Sequence, residues 1–354
     1  MSIKASVPYP VEIVLHPDWW NDRIGLTFDE DFFYHPRRRV EAETAMEKAL
    51  YERWGRFGLG GKTSEPQLGA VHLAAGFLVS EMMGCKVDYL ENAPPLVHPA
   101  DLEAPIVPKG DPFHSPAFKK FEALADSLET RYGAVRGDVN WGGVLNVALD
   151  LRGQGIFMDI YDQPEETSAF FARISEVLES FTSGIAARTG TTSVSVNRIV
   201  RYFDEPVFLH SECSHTMISE AAYDEFLFRY DEAWSRVKRP FGIHYCGVDP
   251  HRFASAFSRL PRLDFLDLGW GGDVALLRKA LPDTFFSLRL SPTAIGSMPA
   301  EEIRTTIERL AAESGDPALT GFCCVNMDRN VSDETISALL ESIEGLRARI
   351  GKRA

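Results

Sequence analysis

The sequence predicts an α/β fold, a (β/α)8 TIM-type barrel with an N-terminal helical and aromatic cap; a doubly wound open sheet is the runner-up. Two observations lead there. From residue 115 onward, helical segments alternate with short continuous apolar runs, and such runs mark parallel strands buried on both faces. Those runs end in polar side chains, and in a barrel the active groups sit at the strand C-termini. A length of 354 residues suits one barrel domain spanning 1–354.

Residues 1–60 carry Trp19, Trp20, Phe28, Phe32, Phe33, Tyr34 and Trp54. That aromatic density predicts a folded cap packed on the barrel, with a helix near 37–56, and not a disordered tail. The stretch Asn92-Ala93-Pro94-Pro95-Leu96-Val97-His98-Pro99 is a proline-stiffened loop. A helix over 163–188 follows from Phe170, Phe171, Ile174, Val177, Leu178, Phe181 and Ile185, which fall on one 3.6-residue face. A second, over 219–237, opens on Ser219 as N-cap and carries Tyr223, Phe226, Leu227, Tyr230 and Trp234. A third begins at Pro299, a favoured first-turn residue, with Ile303, Ile307 and Leu310. The last, over 333–350, carries Ile336, Leu339, Leu340, Ile343 and Leu346. Between them lie five strand candidates: 207–210, 241–246, 265–268, 285–290 and 320–325.

The net charge of −14 argues against nucleic acid as a partner, because phosphate binding needs a basic field. It argues equally against an anionic membrane surface. No run of about 18 apolar residues predicts a spanning helix. Met1-Ser2-Ile3-Lys4-Ala5-Ser6 lacks the apolar core of a secretory signal, so a cytoplasmic location is expected. The five cysteines, Cys85, Cys213, Cys246, Cys323 and Cys324, are odd in number and clustered, which is not a disulfide framework. Cys85 reads as a packed core thiol.

The strand ends hold the chemistry: His210 with Glu212, His244 with Cys246, Asp267, Arg289, and Cys323-Cys324. In His244-Tyr245-Cys246 the imidazole and the thiol are two residues apart, so on a strand they share a face. They are the donor types zinc prefers. One more sulfur from a neighbouring strand gives three protein ligands with an open fourth position, the arrangement of a catalytic zinc. The bland alternative is a buried His and a buried Cys with no metal.

Here the chain resembles the uroporphyrinogen decarboxylase-like superfamily, which includes the decarboxylase and zinc-dependent, corrinoid-linked methyltransferases. The resemblance runs from about residue 35 and is clearest from 140 to the end. Gly143-Val144-Leu145-Asn146-Val147-Ala148-Leu149-Asp150-Leu151-Arg152-Gly153, then Phe157-Met158-Asp159-Ile160-Tyr161 and Pro164-Glu165, is similar to the segment leading into a barrel helix. Ile218-Ser219, Tyr223 and Phe226 resemble the opening of the next helix. His244-Tyr245-Cys246-Gly247 matches the H-x-C zinc motif of the methyltransferase branch. In that branch a Cys on the last strand completes the ligand set. Cys323 and Cys324 are adjacent, so only one can enter the barrel mouth; the family spacing to the last helix inclines toward Cys324. The decarboxylase's R-Q-A-G-R signature is missing, and Val71-His72-Leu73-Ala74-Ala75 stands where its substrate-gripping aspartate would fall.

The resemblance therefore implies a methyltransferase using zinc and a corrinoid (cobalamin) on a separate protein, since the chain has no D-x-H-x-x-G cobalamin motif. The zinc would bind a thiol or polarise the heteroatom of an O-, N- or S-methylated compound. Glu212 and His210 are candidates for orienting substrate or for acid–base work, against a satisfied pair in the rim. Asp267 is a candidate oxygen ligand, against a carboxylate that orients the ligands. Asn146, Trp141, Trp270 and Arg289 are candidates for the substrate pocket. Cys213 reads as a small buried residue in preference to an extra sulfur, and Asp328 and Asn326 as loop caps. The rival readings are a metal-free decarboxylase or lyase using Arg152 and Arg289, and a non-catalytic barrel that only binds.

Overall fold

The computed structural model describes residues 2–106, 109–191 and 198–351. Eight strands occur among them: β1 (Val11–Leu15), β2 (Lys86–Asp88), β3 (Leu96–His98), β4 (Phe208–Ser211), β5 (Phe241–Tyr245), β6 (Phe265–Leu268), β7 (Phe285–Leu290) and β8 (Thr320–Met327). β2 and β3 form a separate antiparallel hairpin, and β3 falls within the 92–99 stretch expected to be a loop. The other six make one parallel sheet in the order β1-β8-β7-β6-β5-β4. This is the half-barrel of a TIM-type fold. The five strands expected from apolar runs are all in it, with ends shifted by at most two residues.

The remaining arc is not continuous sheet. Two extended stretches run side by side: Leu68 N–H donates to Arg136 O and Gly69 N–H to Gly137 O, each at 2.8 Å, and Arg136 N–H donates to Pro66 O at 3.1 Å. The chain continuing from the second stretch reaches β4 where Gly143 N–H donates to Ser211 O at 2.6 Å. The first sixty residues, expected as a cap, also contribute β1, which pairs with β8. The cap helices Pro17–Ile24, Glu30–Tyr34 and Pro36–Trp54 follow it.

Long helices cover the outer face of the sheet. Pro164–Thr189 starts on proline and stops at Gly190, whose φ of 76° only glycine adopts without strain. Ser219 caps its helix by accepting from Ala222 N–H, and the helix then loosens into a π turn at Tyr223–Leu227 before Phe228–Val237. Ala300–Ser314 and Asp333–Gly351 close the chain. Among the described residues no helix is long and apolar enough to cross a membrane.

Strand alternation sorts side chains into two layers. Phe208, Ile243, Tyr245, Leu266, Leu268, Leu288, Leu290, Phe322 and Cys324 join the large core under the helices. Their neighbours face the barrel interior. At its N-terminal end Leu209, Phe265 and Phe285 pack with Ile199 and Val207; further along, Val14, Cys323 and Val325 pack together. His244, Asp267 and Ser287 stand in register across β5, β6 and β7, and Arg289 stands opposite Cys323. The polar groups thus lie above an apolar floor, at the C-terminal side of the strands.

Candidate functional site

The alternation that sends His244 inward also sends Cys246 inward, one turn of pleat beyond it. β4 lies beside β5 with Ser211 opposite His244, so Cys213, two residues past Ser211, arrives beside Cys246. The donor atoms of Cys213, His244 and Cys246 all lie within 4.8 Å of one another. Two sulfurs with one imidazole nitrogen are a chemically apt donor set for one zinc ion.

Each donor is held by its surroundings. His244 is fully buried, and its Nδ1–H donates to Asp267 Oδ2 at 2.5 Å. Burial works against charge on the ring, but the Asp267 carboxylate outweighs it and raises the His244 pKa. Cys246 is pulled down to about 4 by the thiol of Cys213 donating to it, then by His244 and Arg289, against the opposing effect of burial. That shift favours the thiolate, the form that binds metals and attacks electrophiles. Cys213, as the donor in that pair, is pushed up. Asn146 positions Cys213: its Nδ2 donates to Ser211 O and its Oδ1 accepts from Ser214 N–H, both at 2.9 Å. Behind Cys246, Gly269 packs so closely that a Cβ there would lie 1.8 Å from Gly247 O.

Arg289 reaches into the same group from β7. Its Nη1 donates to His244 Nε2 at 3.1 Å, and its charge faces Asp267, Cys323, Cys246 and Cys213. It also lines, with Trp270, Leu290, Ile295 and Met298, a cavity of about 130 Å³ at the ends of β6 and β7. Trp270 is partly exposed there. These two of the four expected pocket residues are brought together.

The two thiols of the last strand lie outside the three-donor group. Cys324 faces the helices, where its Sγ contacts Leu290 O at 3.5 Å and burial pushes its thiol up to about 12. Cys323 does face inward, but its thiol donates to Asp267 Oδ1 at 3.6 Å and accepts from Ser287 Oγ at 3.4 Å, and it is outside the three-donor group. Trp141 is buried, stacked on His210 at 5.7 Å and packed against Phe208 and Trp234. Asn146 spends both ends of its amide on backbone. Asp267 is a carboxylate bound to the His244 ring, outside the donor group.

His210 and Glu212 also point away from the sulfurs, into the helix layer. His210 Nδ1–H donates to Asp231 Oδ1 at 2.7 Å, and its Nε2 lies 3.2 Å from Glu212 Oε1. Glu212 Oε1 accepts from Leu145 N–H at 2.8 Å, and Tyr223 donates to Asp231 Oδ2 at 2.7 Å. This network anchors the first turn of the helix Val144–Arg152, which carries Asn146. Beneath it, fully buried His215 has both ring nitrogens without a hydrogen-bond partner among the described residues. Sequence reasoning missed His215, Asp231 and the place of Cys213. For Cys213 the signal was present: positions 209, 211 and 213 alternate as 244 and 246 do. Arg152, the other arginine considered for a decarboxylase mouth, is paired with Asp159 at 2.7 Å.

No protein-family model matches the chain, and no curated protein matches it. Among solved structures it is similar to a methyltransferase from Methanosarcina mazei, with 15% identity, a TM-score of 0.65, and coverage of 97% of this chain and 94% of that one. It is also similar to a B12-independent methionine synthase from Shewanella sp. W3-18-1, with 10% identity, a TM-score of 0.52, and coverage of 100% and 99%. What these likenesses establish is the fold alone, a TIM-type fold as the sequence predicted.

Proposed function

We propose that this chain is a zinc-dependent methyltransferase that moves a methyl group between a small substrate and a corrinoid carried by a separate protein. The observation that carries the reading is the convergence of Cys213, His244 and Cys246 within 4.8 Å at the C-terminal side of the strands. Three protein donors leave a position for substrate, and the thiolate-rich set favours a soft, borderline ion over magnesium or calcium. The likeness in fold to a methyltransferase supports the reaction class.

When bound, zinc supplies Lewis acidity, which holds a substrate thiol as thiolate or polarises the heteroatom that bears the methyl group. The chain's own residues prepare for it. Asp267 fixes the His244 tautomer with the proton on Nδ1, so that Nε2 is the nitrogen with a lone pair to give. Hydrogen bonding draws Cys246 toward the thiolate and keeps the proton on Cys213, and that proton must leave before Cys213 can bind a metal. Metal uptake therefore releases a proton and weakens as pH falls.

A second reading, methyl transfer with no corrinoid, is favoured by the likeness in fold to a synthase described as B12-independent. The two separate on one assay, the demethylation of methylcobalamin by a panel of small thiols.

Two outcomes are expected. The purified protein holds zinc by elemental analysis, and His244→Ala and Cys246→Ala lose both the metal and thiol-dependent methyl transfer. A metal-free wild type that still transfers methyl groups would sink the reading. Asp267→Asn, which weakens the grip on the His244 ring without removing a donor, lowers zinc affinity by about 10–100-fold. A chelator-competition titration checks this, and unchanged affinity would remove Asp267 from the ligand-orienting role.

A further inference from the structure

An imidazole has two ring nitrogens, and at His244 both are spoken for. Nδ1–H donates to Asp267. Nε2, the nitrogen left for a metal, accepts from Arg289 Nη1 at 3.1 Å. Arg289 is buried, 7% exposed as a residue, and its charge faces the two candidate sulfur ligands, Cys213 and Cys246, as well as Asp267 and Cys323. It is not fully satisfied, for its Nε is buried without a partner among the described residues. Charge holds it more than a complete set of hydrogen bonds does. A guanidinium and a metal ion cannot share one lone pair, and two cations at that separation repel strongly in a buried site.

We propose that Arg289 is the metal's stand-in. In the metal-free protein its guanidinium occupies His244 Nε2 and faces the sulfur cluster, and loading the ion requires the side chain to leave that nitrogen. The inference rests on reading Cys213, His244 and Cys246 as metal ligands. It makes Arg289 a positioning residue that sets the affinity and the rate of metal loading, through a contact that exists only before loading.

The test uses the full chain, zinc and the variant Arg289→Gln, with zinc affinity measured by competition with a chromophoric chelator and zinc association by stopped flow. The variant is expected to bind zinc about tenfold or more tightly, the size of one charge-assisted hydrogen bond that no longer has to break. In the wild type the association rate levels off as zinc is raised, because departure of the arginine becomes limiting. In the variant it stays linear. A linear rate in both proteins signals simple repulsion and overturns the displacement. If wild type binds zinc and the variant binds it no more tightly, the stand-in role falls while the metal reading survives. If neither protein binds zinc, the metal reading itself falls and this inference with it. Should the variant fail to fold, a structure of zinc-loaded wild type decides. Arg289 Nη1 displaced from His244 Nε2 supports the proposal, and the contact intact beside the ion overturns it.

Discussion

Cys213→Ala is expected to abolish tight zinc binding, and Cys324→Ala is expected to leave it unchanged. A zinc site held by four ligands is worth about 10–16 kcal/mol, so one ligand carries roughly 3 kcal/mol, more than about a hundredfold in Kd. Cys213 is one of three donors within 4.8 Å, and its loss leaves a site of two. Cys324 lies on the opposite side of β8, against Leu290 O. Its truncation costs about 1 kcal/mol of packing and reaches no donor. Cys323→Ala falls between them. It removes a hydrogen bond to Asp267 and acts only through the carboxylate that orients His244, a loss of no more than about tenfold. Cobalt substitution reads the ligand count directly, because thiolate-to-cobalt absorption scales with the number of sulfurs. That absorption should drop in Cys213→Ala and persist in Cys324→Ala. The reverse pattern would return the third ligand to the last strand.

Why the sequence inclines toward the last strand for a third sulfur, while the three-donor group holds Cys213 instead, is itself physical. Alternation along one strand is local, so His244 and Cys246 declare a shared face without any knowledge of their neighbours. Membership of a three-residue site also depends on register between strands. The pairing of Ser211 with His244 brings Cys213 alongside Cys246, and nothing in the string of residues states that pairing. At Cys323-Cys324 alternation predicts one thiol in and one out, and the pairing of Cys323 with Arg289 decides which. Apolar runs made β4 through β8 legible because each is buried on both faces. β1 was hidden by its setting: Val11–Leu15 is as buried as the others, but it carries Glu12, which faces inward to pair with Arg201 at 3.0 Å, and aromatics that suggest a cap surround it. The stretches around Gln67 and Arg136 make three backbone bonds with each other, too short a ladder to impose a period on their side chains. His210 and Glu212 illustrate a different failure. Polar residues at a strand end read as active groups, yet their neighbours in space, Asp231 and Leu145, draw them to the helix side.

That buried pair yields the second large effect, a stability that falls as pH rises from neutral to alkaline. His210 is fully buried, which alone would strip its proton. The Asp231 and Glu212 carboxylates outweigh burial and raise its pKa to about 9. In the unfolded chain a histidine titrates near about 6.5. The folded state therefore binds the proton more tightly. The stabilisation is complete below about pH 6.5, declines above it, and is lost as pH rises through about 9, a change of about 3 kcal/mol. His210→Gln keeps a hydrogen-bonding side chain but cannot titrate. Urea unfolding of both proteins between pH 6 and pH 9.5 should show wild type losing about 3 kcal/mol more than the variant; parallel curves would mean that His210 is neutral in the fold. The consequence extends to the sulfur cluster. Glu212 holds Leu145 at the first turn of the helix Val144–Arg152, and Asn146, the next residue, clamps Ser211 and Ser214 on either side of Cys213. Loss of the His210 proton leaves Asp231 and Glu212 facing each other as buried charges across a neutral ring, and the strain falls on the clamp that positions Cys213. Deprotonating Cys213 favours metal uptake as pH rises, while loosening its support opposes it. Zinc affinity should therefore climb from acid to neutral pH and then stop climbing near pH 9 in wild type, whereas in His210→Gln it continues to rise from a weaker start.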